Sequence, residues 1–244
     1  MRSNLSCINV YKKKSVRSEV VTQLLYGDTF KKIKKKGTWI KIKNDKDNYQ
    51  GFIKVGKFPQ NQINSHKIYK IFAELYSQPN KKNKIKKKLS FASEIKVLKK
   101  QGQFCKFDNW WIKKKDLKRK NYNTRDIFKK IKNFVNIRYK WGGKHYNGID
   151  CSGLIQLCFN FNNKFCPRDA KDQIKYFKKK IKLKNIRKND LIFWKGHVAV
   201  AISKEKLIHA YGPHKKVVIM PIKKTINLIK KTAKLNIIGI RRVA

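Results

Sequence analysis

Short hydrophobic runs broken by Gly, Asn and Asp dominate the first quarter of the chain. Apolar runs of this length between turn-forming residues are typical of β-strands. The runs cover residues 20–25, 29–34, 38–43 and 51–55. A polar stretch at 59–65 follows and has the composition of a linker. We therefore predict a small antiparallel barrel over residues 1–58.

The same pattern returns after the linker. An offset of 65 residues aligns hydrophobic positions and one glycine: Phe30 with Ile95, Ile33 with Leu98, Gly37 with Gly102, Trp39 with Phe104, and Ile42 with Phe107. Each copy has a strand, a tight turn at the glycine and a second strand that begins with an aromatic residue. The repeat predicts a second all-β barrel over residues 66–120, with Trp39 and Phe104 in the barrel cores.

The pattern changes in residues 121–244. Apolar residues at helical spacing predict a helix over 127–135, capped within 123–126, a second helix over 152–161 and a short one at 169–177. Hydrophobic strands are expected at 190–194, 197–202, 207–211, 217–220 and 235–241. Helices followed by an antiparallel sheet predict an α+β domain.

The chain is strongly basic. It has 63 Lys+Arg against 14 Asp+Glu, a formal net charge of +49. Only nine of the basic residues are Arg, and the lysines are scattered along the whole chain. Recognition of bases and phosphates favours Arg, so we expect no specific nucleic-acid partner. We attribute the lysines mainly to codon drift in an A+T-rich genome.

The five cysteines are an odd number and contain no Cys-x-x-Cys pair. We expect reduced thiols, no metal and no cofactor. The first residues lack the apolar core of a signal peptide, and no stretch is long and apolar enough for a membrane span. These features predict a cytoplasmic protein without a membrane span, and they leave the oligomeric state open.

Cys151 lies where a Gly-rich loop meets the predicted helix 152–161. A helix N-terminus is expected to lower the pKa of a thiol. The neighbouring glycines are expected to offer backbone N–H groups to an oxyanion. On its own such a cysteine is more often a small buried core residue, which is our interpretation of Cys158 on the same helix.

Two histidines change the interpretation of Cys151. His197 is a suitable base for a thiol, and His209 lies in the next predicted strand. A three-residue loop at 203–205 would put Ala199 opposite His209 and both histidines on one face. Each histidine alone is more often an ordinary hydrogen-bonded residue. Together the three predict a nucleophile, its base and an orienting residue.

Five motifs surround these residues: Tyr139-x-Trp-Gly-Gly, Asp150-Cys-Ser-Gly-Leu, Cys166-Pro-Arg-Asp with Gln173, Asp190-Leu-Ile-Phe-Trp-Lys-Gly-His-Val and Leu207-Ile-His-Ala. In these motifs the chain resembles the NlpC-type, papain-like cysteine peptidases. More narrowly, it resembles bacterial γ-D-glutamyl-L-diamino acid dipeptidyl-peptidases. The resemblance covers essentially the whole chain. It implies an NlpC-type domain over 121–244 behind two bacterial SH3-like barrels at 1–58 and 66–120.

The resemblance also implies a reaction, namely hydrolysis of the bond between γ-D-Glu and a diamino acid. The substrates would be murein-derived peptides with a free N-terminal L-Ala. Cys151 would be the nucleophile, His197 the base and His209 the orienting residue. Tyr139 would lie near the oxyanion, and the substrate pocket would be lined by Trp141, Asp150, Ser152, Arg168 and Asp169. By charge complementarity, Asp169 or Asp150 would hold the substrate amine and Arg168 the D-Glu carboxylate.

The first barrel is expected to restrict the cleft to short peptides, with Asp28 as a candidate acidic residue. Two positions depart from the family pattern. Ala170 stands where Ser or Thr is frequent, and Asn189 replaces a glycine whose turn conformation Asn also tolerates.

Several alternatives remain open at this stage. The chain could be an exported hydrolase of polymeric peptidoglycan, a non-catalytic wall- or polyanion-binding module, or an acyltransferase with the same thiol chemistry. Tyr139 and Trp141 could be core aromatic residues, and Arg168 with Asp169 could be a surface ion pair.

Overall fold

The structure of the protein, a computed structural model, describes residues 1–243. These residues form two compact units. The first unit contains Met1–Asn123, Gly142–Tyr146 and Asn160–Asn163. The second unit contains Thr124–Trp141, Asn147–Phe159 and the remainder from Lys164.

The first β region of the first unit, residues 1–58, is a five-stranded antiparallel sheet. Its strands are β1 (Cys7–Tyr11), β2 (Val20–Leu25), β3 (Phe30–Lys36), β4 (Trp39–Asn44) and β5 (Gln50–Lys54). They are arranged in the order β2-β1-β5-β4-β3. Alternate residues such as Val10, Ile42 and Ile53 form its core. All four predicted strands are confirmed, whereas β1 is an additional strand that the sequence interpretation missed.

The second β region, residues 66–120, has two sheets. Its strands are β6 (His66–Ile68), β7 (Phe72–Tyr76), β8 (Lys84–Ser90), β9 (Glu94–Ile95), β10 (Lys99–Gln101), β11 (Phe104–Phe107), β12 (Trp110–Lys113) and β13 (Leu117–Arg119). The sheet orders are β10-β11-β12-β7-β8 and β13-β6-β9. Both enclose one apolar core that includes Ile68, Leu75 and Ile112.

The internal repeat has a structural counterpart. Gly37 lies in the turn between β3 and β4, and Gly102 lies in the turn between β10 and β11, with φ of +58° and +49° respectively. Such positive φ values favour glycine. Phe104 is buried as predicted. Trp39 is only half-buried and lies under the Lys54 amine, 4.9 Å from the ring centroid, so its prediction as a core residue is wrong.

Contacts join the two β regions within the first unit. The Tyr26 ring packs edge-on against Phe107, and a Cβ at Gly27 would lie 2.0 Å from the carbonyl oxygen of Glu94. The Lys46 amine bridges Asp28 and Glu94, at 2.8 Å from each. Asp28 is buried in this network, and its role as the candidate acidic residue of the first barrel stays a prediction.

The remaining elements include the expected helices and sheet. They are β14 (Lys144–His145), β15 (Gly148–Ile149), α1 (Cys151–Phe161), α2 (Ala170–Tyr176), β16 (Asp190–Trp194), β17 (His197–Ala201), β18 (Lys206–Tyr211), β19 (Lys216–Pro221), α3 (Ile222–Ala233) and β20 (Gly239–Arg242). The sheet order β19-β18-β17-β16-β20 is antiparallel throughout. Helices α1 and α2 and the five-stranded sheet confirm the predicted α+β class.

The predicted helix over 127–135 is wrong, because this segment forms 3₁₀-type turns. Backbone N–H groups donate to the residue three positions earlier, as from Ile131 to Phe128, and only Ile131–Phe134 is a regular 3₁₀-helix. The buried side chains Phe128, Ile131 and Phe134 recur every three residues. That spacing matches the three residues per turn of a 3₁₀-helix.

Helix α3 was missing from the sequence interpretation. It begins directly after Pro221 and buries Ile222, Thr225 and Ile229. These positions follow the i, i+3, i+7 spacing of an amphipathic helix, so the signal was present in the sequence. The last predicted strand, 235–241, is shorter in the structure because β20 begins only at Gly239.

Candidate active site

Cys151 is the first residue of α1, and Asp150 caps this helix. The Asp150 carboxylate accepts the backbone N–H of Gly153 at 2.7 Å, as an N-cap residue does. This bond occupies one of the N–H groups that we expected to serve an oxyanion. The thiol of Cys151 is buried, and the backbone amides of Val198 and Ser152 donate hydrogen bonds to it.

The predicted lowering of the Cys151 pKa is wrong. Burial and the charge of Asp150 raise the pKa of the thiol to about 12, against the two backbone donors and Arg168. Burial likewise lowers the pKa of His197 to about 4, although Asp150 opposes this change. At neutral pH the resting site therefore holds a neutral thiol and a neutral imidazole, because desolvation disfavours both charged forms.

The hairpin between β17 and β18 has the predicted register. The N–H of Ile202 donates to the carbonyl of Lys206 at 2.8 Å, which leaves residues 203–205 as the loop. Val200 then pairs with Ile208, so that Ala199 faces His209. The two histidines share a face, and His197 Nε2 lies 2.9 Å from His209 Nδ1.

His209 is almost fully enclosed. Its ring stacks on Tyr211, with centroids 4.6 Å apart and an interplanar angle of 8°. Its second nitrogen, Nε2, lies 3.4 Å from the thioether sulfur of Met220. Burial, followed by the charges of His197 and His214, lowers the pKa of His209 to about 2, so the ring is neutral.

Arg168 is buried against Asp150 rather than exposed beside Asp169. Its guanidinium donates to both Asp150 carboxylate oxygens, at 3.0 and 2.6 Å, and to the Ser152 hydroxyl at 3.0 Å. The Ser152 hydroxyl itself donates to Asp150 at 3.3 Å. The alternative of a surface Arg168–Asp169 ion pair is therefore wrong. A bidentate pair of this kind holds the α1 N-terminus to the loop before α2.

Tyr139, Trp141 and Asp169 lie closer to solvent. Tyr139 is half-buried, and burial together with the charges of Cys151 and Asp150 raises its pKa. Trp141 is 56% exposed, so it is not a core residue. Asp169 is half-buried at the start of α2.

Gln173 and Met220 are neighbours of the site that sequence reasoning missed. The Gln173 side-chain amide donates to the carbonyls of Ser152 and Pro167 at 3.0 and 2.9 Å. Gln173 was visible as part of a motif, but its bonding partners were not. Met220 carried no sequence signal because a methionine in a hydrophobic strand is ordinary.

Asn189 has φ of +73°, which confirms that it adopts the glycine-like turn expected of it. The side chain of Asn189 also donates to Asp126 at 3.0 Å. Of the remaining histidines, His145 lies in the first unit, 3.1 Å from the Ser6 hydroxyl, and the ring of His214 lies 5.2 Å from that of Tyr211.

Two parts of the chain match known protein families. Residues 136–233 match the NlpC/P60 family, and residues 3–57 match the bacterial SH3 domain. The chain contains an NlpC/P60 cysteine-peptidase domain. A crystal structure of an NlpC/P60 family protein from Bacillus cereus shares the fold of the whole chain, with a TM-score of 0.83 at 21% identity. The alignment covers 99% of this chain and 98% of that one.

Two curated relatives carry names that describe an activity. The γ-D-glutamyl-L-lysine dipeptidyl-peptidase of Bacillus cereus is 26% identical, covering 84% of this chain and 71% of the relative. Dipeptidyl-peptidase 6 of Lysinibacillus sphaericus is 36% identical over 77 residues, which are 32% of this chain and only 28% of the relative. The match to the second relative thus spans less than a third of either chain.

The described residues 1–243 contain neither a metal-type cluster of side chains nor a membrane-spanning helix. Within this range, no cluster of three or more His, Cys, Asp or Glu residues is arranged to hold a metal ion. None of the helices in this range has the length and hydropathy needed to cross a membrane. None of the five cysteines, all of which lie in this range, forms a disulfide.

Proposed function

We propose that the chain hydrolyses the bond between γ-D-Glu and a diamino acid in murein-derived peptides with a free N-terminal L-Ala. The observation that carries this proposal is Cys151 at the start of α1, in hydrogen-bond contact with the strand that bears His197, which in turn contacts His209. The name of the Bacillus cereus relative supports the choice of bond.

In the proposed reaction His197 takes the proton of Cys151 as the sulfur attacks the γ-carbonyl carbon of D-Glu. Because thiol and imidazole are both neutral at rest, proton transfer accompanies the attack. The tetrahedral intermediate collapses to a thioester when His197 returns the proton to the leaving amine of the diamino acid. Water, deprotonated by His197, then hydrolyses the thioester and regenerates the thiol.

We assign the oxyanion to the backbone N–H of Cys151 and the hydroxyl of Tyr139, because the N–H of Gly153 is already bonded to Asp150. Charge complementarity and partial exposure favour Asp169 for the substrate amine. Trp141 offers an exposed ring to the peptide. Hydrogen bonds among Arg168, Asp150 and Ser152 hold the N-terminus of α1 and so position Cys151. Direct contact of these residues with the substrate stays a prediction.

Incubation with L-Ala-γ-D-Glu-L-Lys and with the diaminopimelate analogue tests the proposal, with mass spectrometry to detect L-Ala-D-Glu. We expect release of this dipeptide by the wild type and no detectable release by Cys151→Ala. Cys158→Ala, which removes another buried thiol of α1, is the matched control and should keep most activity.

Absence of turnover in the wild type, or equal turnover in Cys151→Ala, would refute the proposal. Digestion of intact sacculi together with turnover of an N-acetylated peptide would instead favour a hydrolase of polymeric wall. The cytoplasmic location expected from the sequence stays a prediction.

A further inference from the structure

The thioether sulfur of Met220 contacts the Nε2 atom of His209. Met220 pairs with Leu207 across β18 and β19, which puts its side chain diagonally beside that of His209 on the same face. The Sδ atom lies 3.4 Å from His209 Nε2, and His209 Nδ1 lies 2.9 Å from His197 Nε2. A chain of contacts thus runs from a thioether through two imidazoles.

We propose that Met220 is a positioning residue that fixes the tautomers of His209 and His197. A thioether sulfur accepts a hydrogen bond and cannot donate one, so His209 carries its proton on Nε2. His209 Nδ1 is then an acceptor, and His197 must donate to it from Nε2. This leaves the Nδ1 of His197 unprotonated, which is the form able to take the Cys151 proton. The inference rests on the proposed function for its catalytic consequence, but not for the tautomers themselves.

The opposite arrangement is disfavoured by the same contacts. A proton on His209 Nδ1 would direct the lone pair of Nε2 at the sulfur and place the proton of His197 on Nδ1, where it blocks the base. Water cannot easily replace the sulfur, because His209 is only 1% exposed.

A doubly protonated His209 is also disfavoured. The groups facing it are His197 on β17, Tyr211 on its own strand, His214 in the turn after β18 and the uncharged Met220 on β19. None of these side chains is a carboxylate, and Asp150 acts on His197 instead. Burial therefore keeps the ring neutral across the physiological range.

The chain offers a nearly isosteric test, since its only methionines are Met1 and Met220. Growth on norleucine replaces the sulfur of Met220 by a methylene with little change in shape, and Met220→Leu is the genetic counterpart. ¹⁵N-histidine NMR identifies which ring nitrogen carries the proton. We expect Nε2–H on both histidines in the wild type and a mixture of tautomers in the norleucine protein.

With the L-Ala-γ-D-Glu-L-Lys peptide, we expect kcat to fall about two- to fivefold at unchanged KM, the effect of losing one weak hydrogen bond. Ile219→Leu, on the opposite face of β19, should have no effect. In the His209→Asn variant, the asparagine side-chain carbonyl accepts a hydrogen bond from His197 regardless of which residue occupies position 220. Met220→Leu should therefore cost nothing further in that background.

Unchanged tautomers in the norleucine protein would overturn the inference, as would an equal loss of activity from Met220→Leu in both backgrounds. The NMR measurement needs no substrate. A wild type with the expected tautomers and no peptidase activity would therefore refute the proposed function alone.

Discussion

The Asp150 carboxylate combines two tasks at the residue scale. It caps α1 through Gly153 and accepts two hydrogen bonds from Arg168. Both charged groups are buried, with side-chain exposures of 7% and 1%. Removing one partner of such a pair leaves an uncompensated charge out of water, which costs much more than an exposed ion pair contributes.

We therefore expect Arg168→Met to lower the free energy of unfolding by about 3 kcal/mol or more. Urea unfolding followed by circular dichroism measures the change. The matched control is Lys188→Met, which removes the exposed partner of Asp126 in the same unit and should change stability by less than about 0.5 kcal/mol. Similar losses in the two variants would show that the Asp150–Arg168 pair has no special role.

The contact between His197 and His209 was easier to predict from the sequence than the electrostatics around Cys151. The Cys151, His197 and His209 positions follow from spacing along two predicted strands and one helix start, which local patterns specify. The pKa of Cys151 depends on burial by residues far apart in sequence, so its direction was predicted wrongly. The Asp150–Arg168 pair was missed for the same reason, since Arg168 was expected to hold the substrate carboxylate, with a surface ion pair to Asp169 as the alternative.

At the scale of elements, a loop length decided a side-chain orientation. The three-residue loop between β17 and β18 was enough to predict that the two histidines share a face, because strand alternation has a period of two. The helix prediction for residues 127–135 was wrong because apolar spacings of three and of four residues are hard to distinguish over a nine-residue segment. Helix α3 shows the opposite case, in which a clear apolar spacing was overlooked among lysines.

Two glycines of the first β region permit a comparison of turn conformation with close packing. Gly27 and Gly37 both have positive φ. A Cβ at Gly27 would lie 2.0 Å from the Glu94 carbonyl oxygen, whereas a Cβ at Gly37 would have no heavy atom of another residue within 4 Å, its chain neighbours excepted. We expect Gly37→Ala to cost about 1 kcal/mol through backbone strain alone.

Gly27→Ala should cost at least about 2 kcal/mol more than Gly37→Ala, because the backbone of Glu94 must also move. Thermal unfolding of the two variants under identical conditions measures this difference. Equal melting temperatures would mean that the contact between Gly27 and Glu94 is not close in solution.

At the scale of the whole molecule, the Glu94 carboxylate lies between two oppositely charged side chains. Its carboxylate pairs with Lys46 and Lys120. Although burial alone would raise the pKa of Glu94, the two lysines hold it at about 2, below the usual 4.5. The stabilisation by this charge is therefore complete above about pH 4.5 and is lost as the pH falls toward 2.

We expect Glu94→Gln to reduce the free energy of unfolding by about 2–3 kcal/mol at pH 7. The difference from the wild type should shrink between about pH 4.5 and pH 2, as protonation removes the same charge from the wild type. Urea unfolding across this range measures it, with Glu74→Gln, at the exposed pair with Lys84, as control. A difference that does not depend on pH would contradict the assignment.

The burial of carboxylates also bears on how so basic a sequence arose. In the described chain only Glu19, Asp45 and Glu205 of the 14 acidic residues are exposed, and the other acids are buried or half-buried. A mutation to lysine at Glu205 would meet only solvent, whereas one at Asp190 would confront Arg242, which donates to both its oxygens at 2.9 and 2.8 Å. Replacement by lysine would therefore cost far more folding free energy at a buried, paired acid such as Asp190 than at an exposed one such as Glu205.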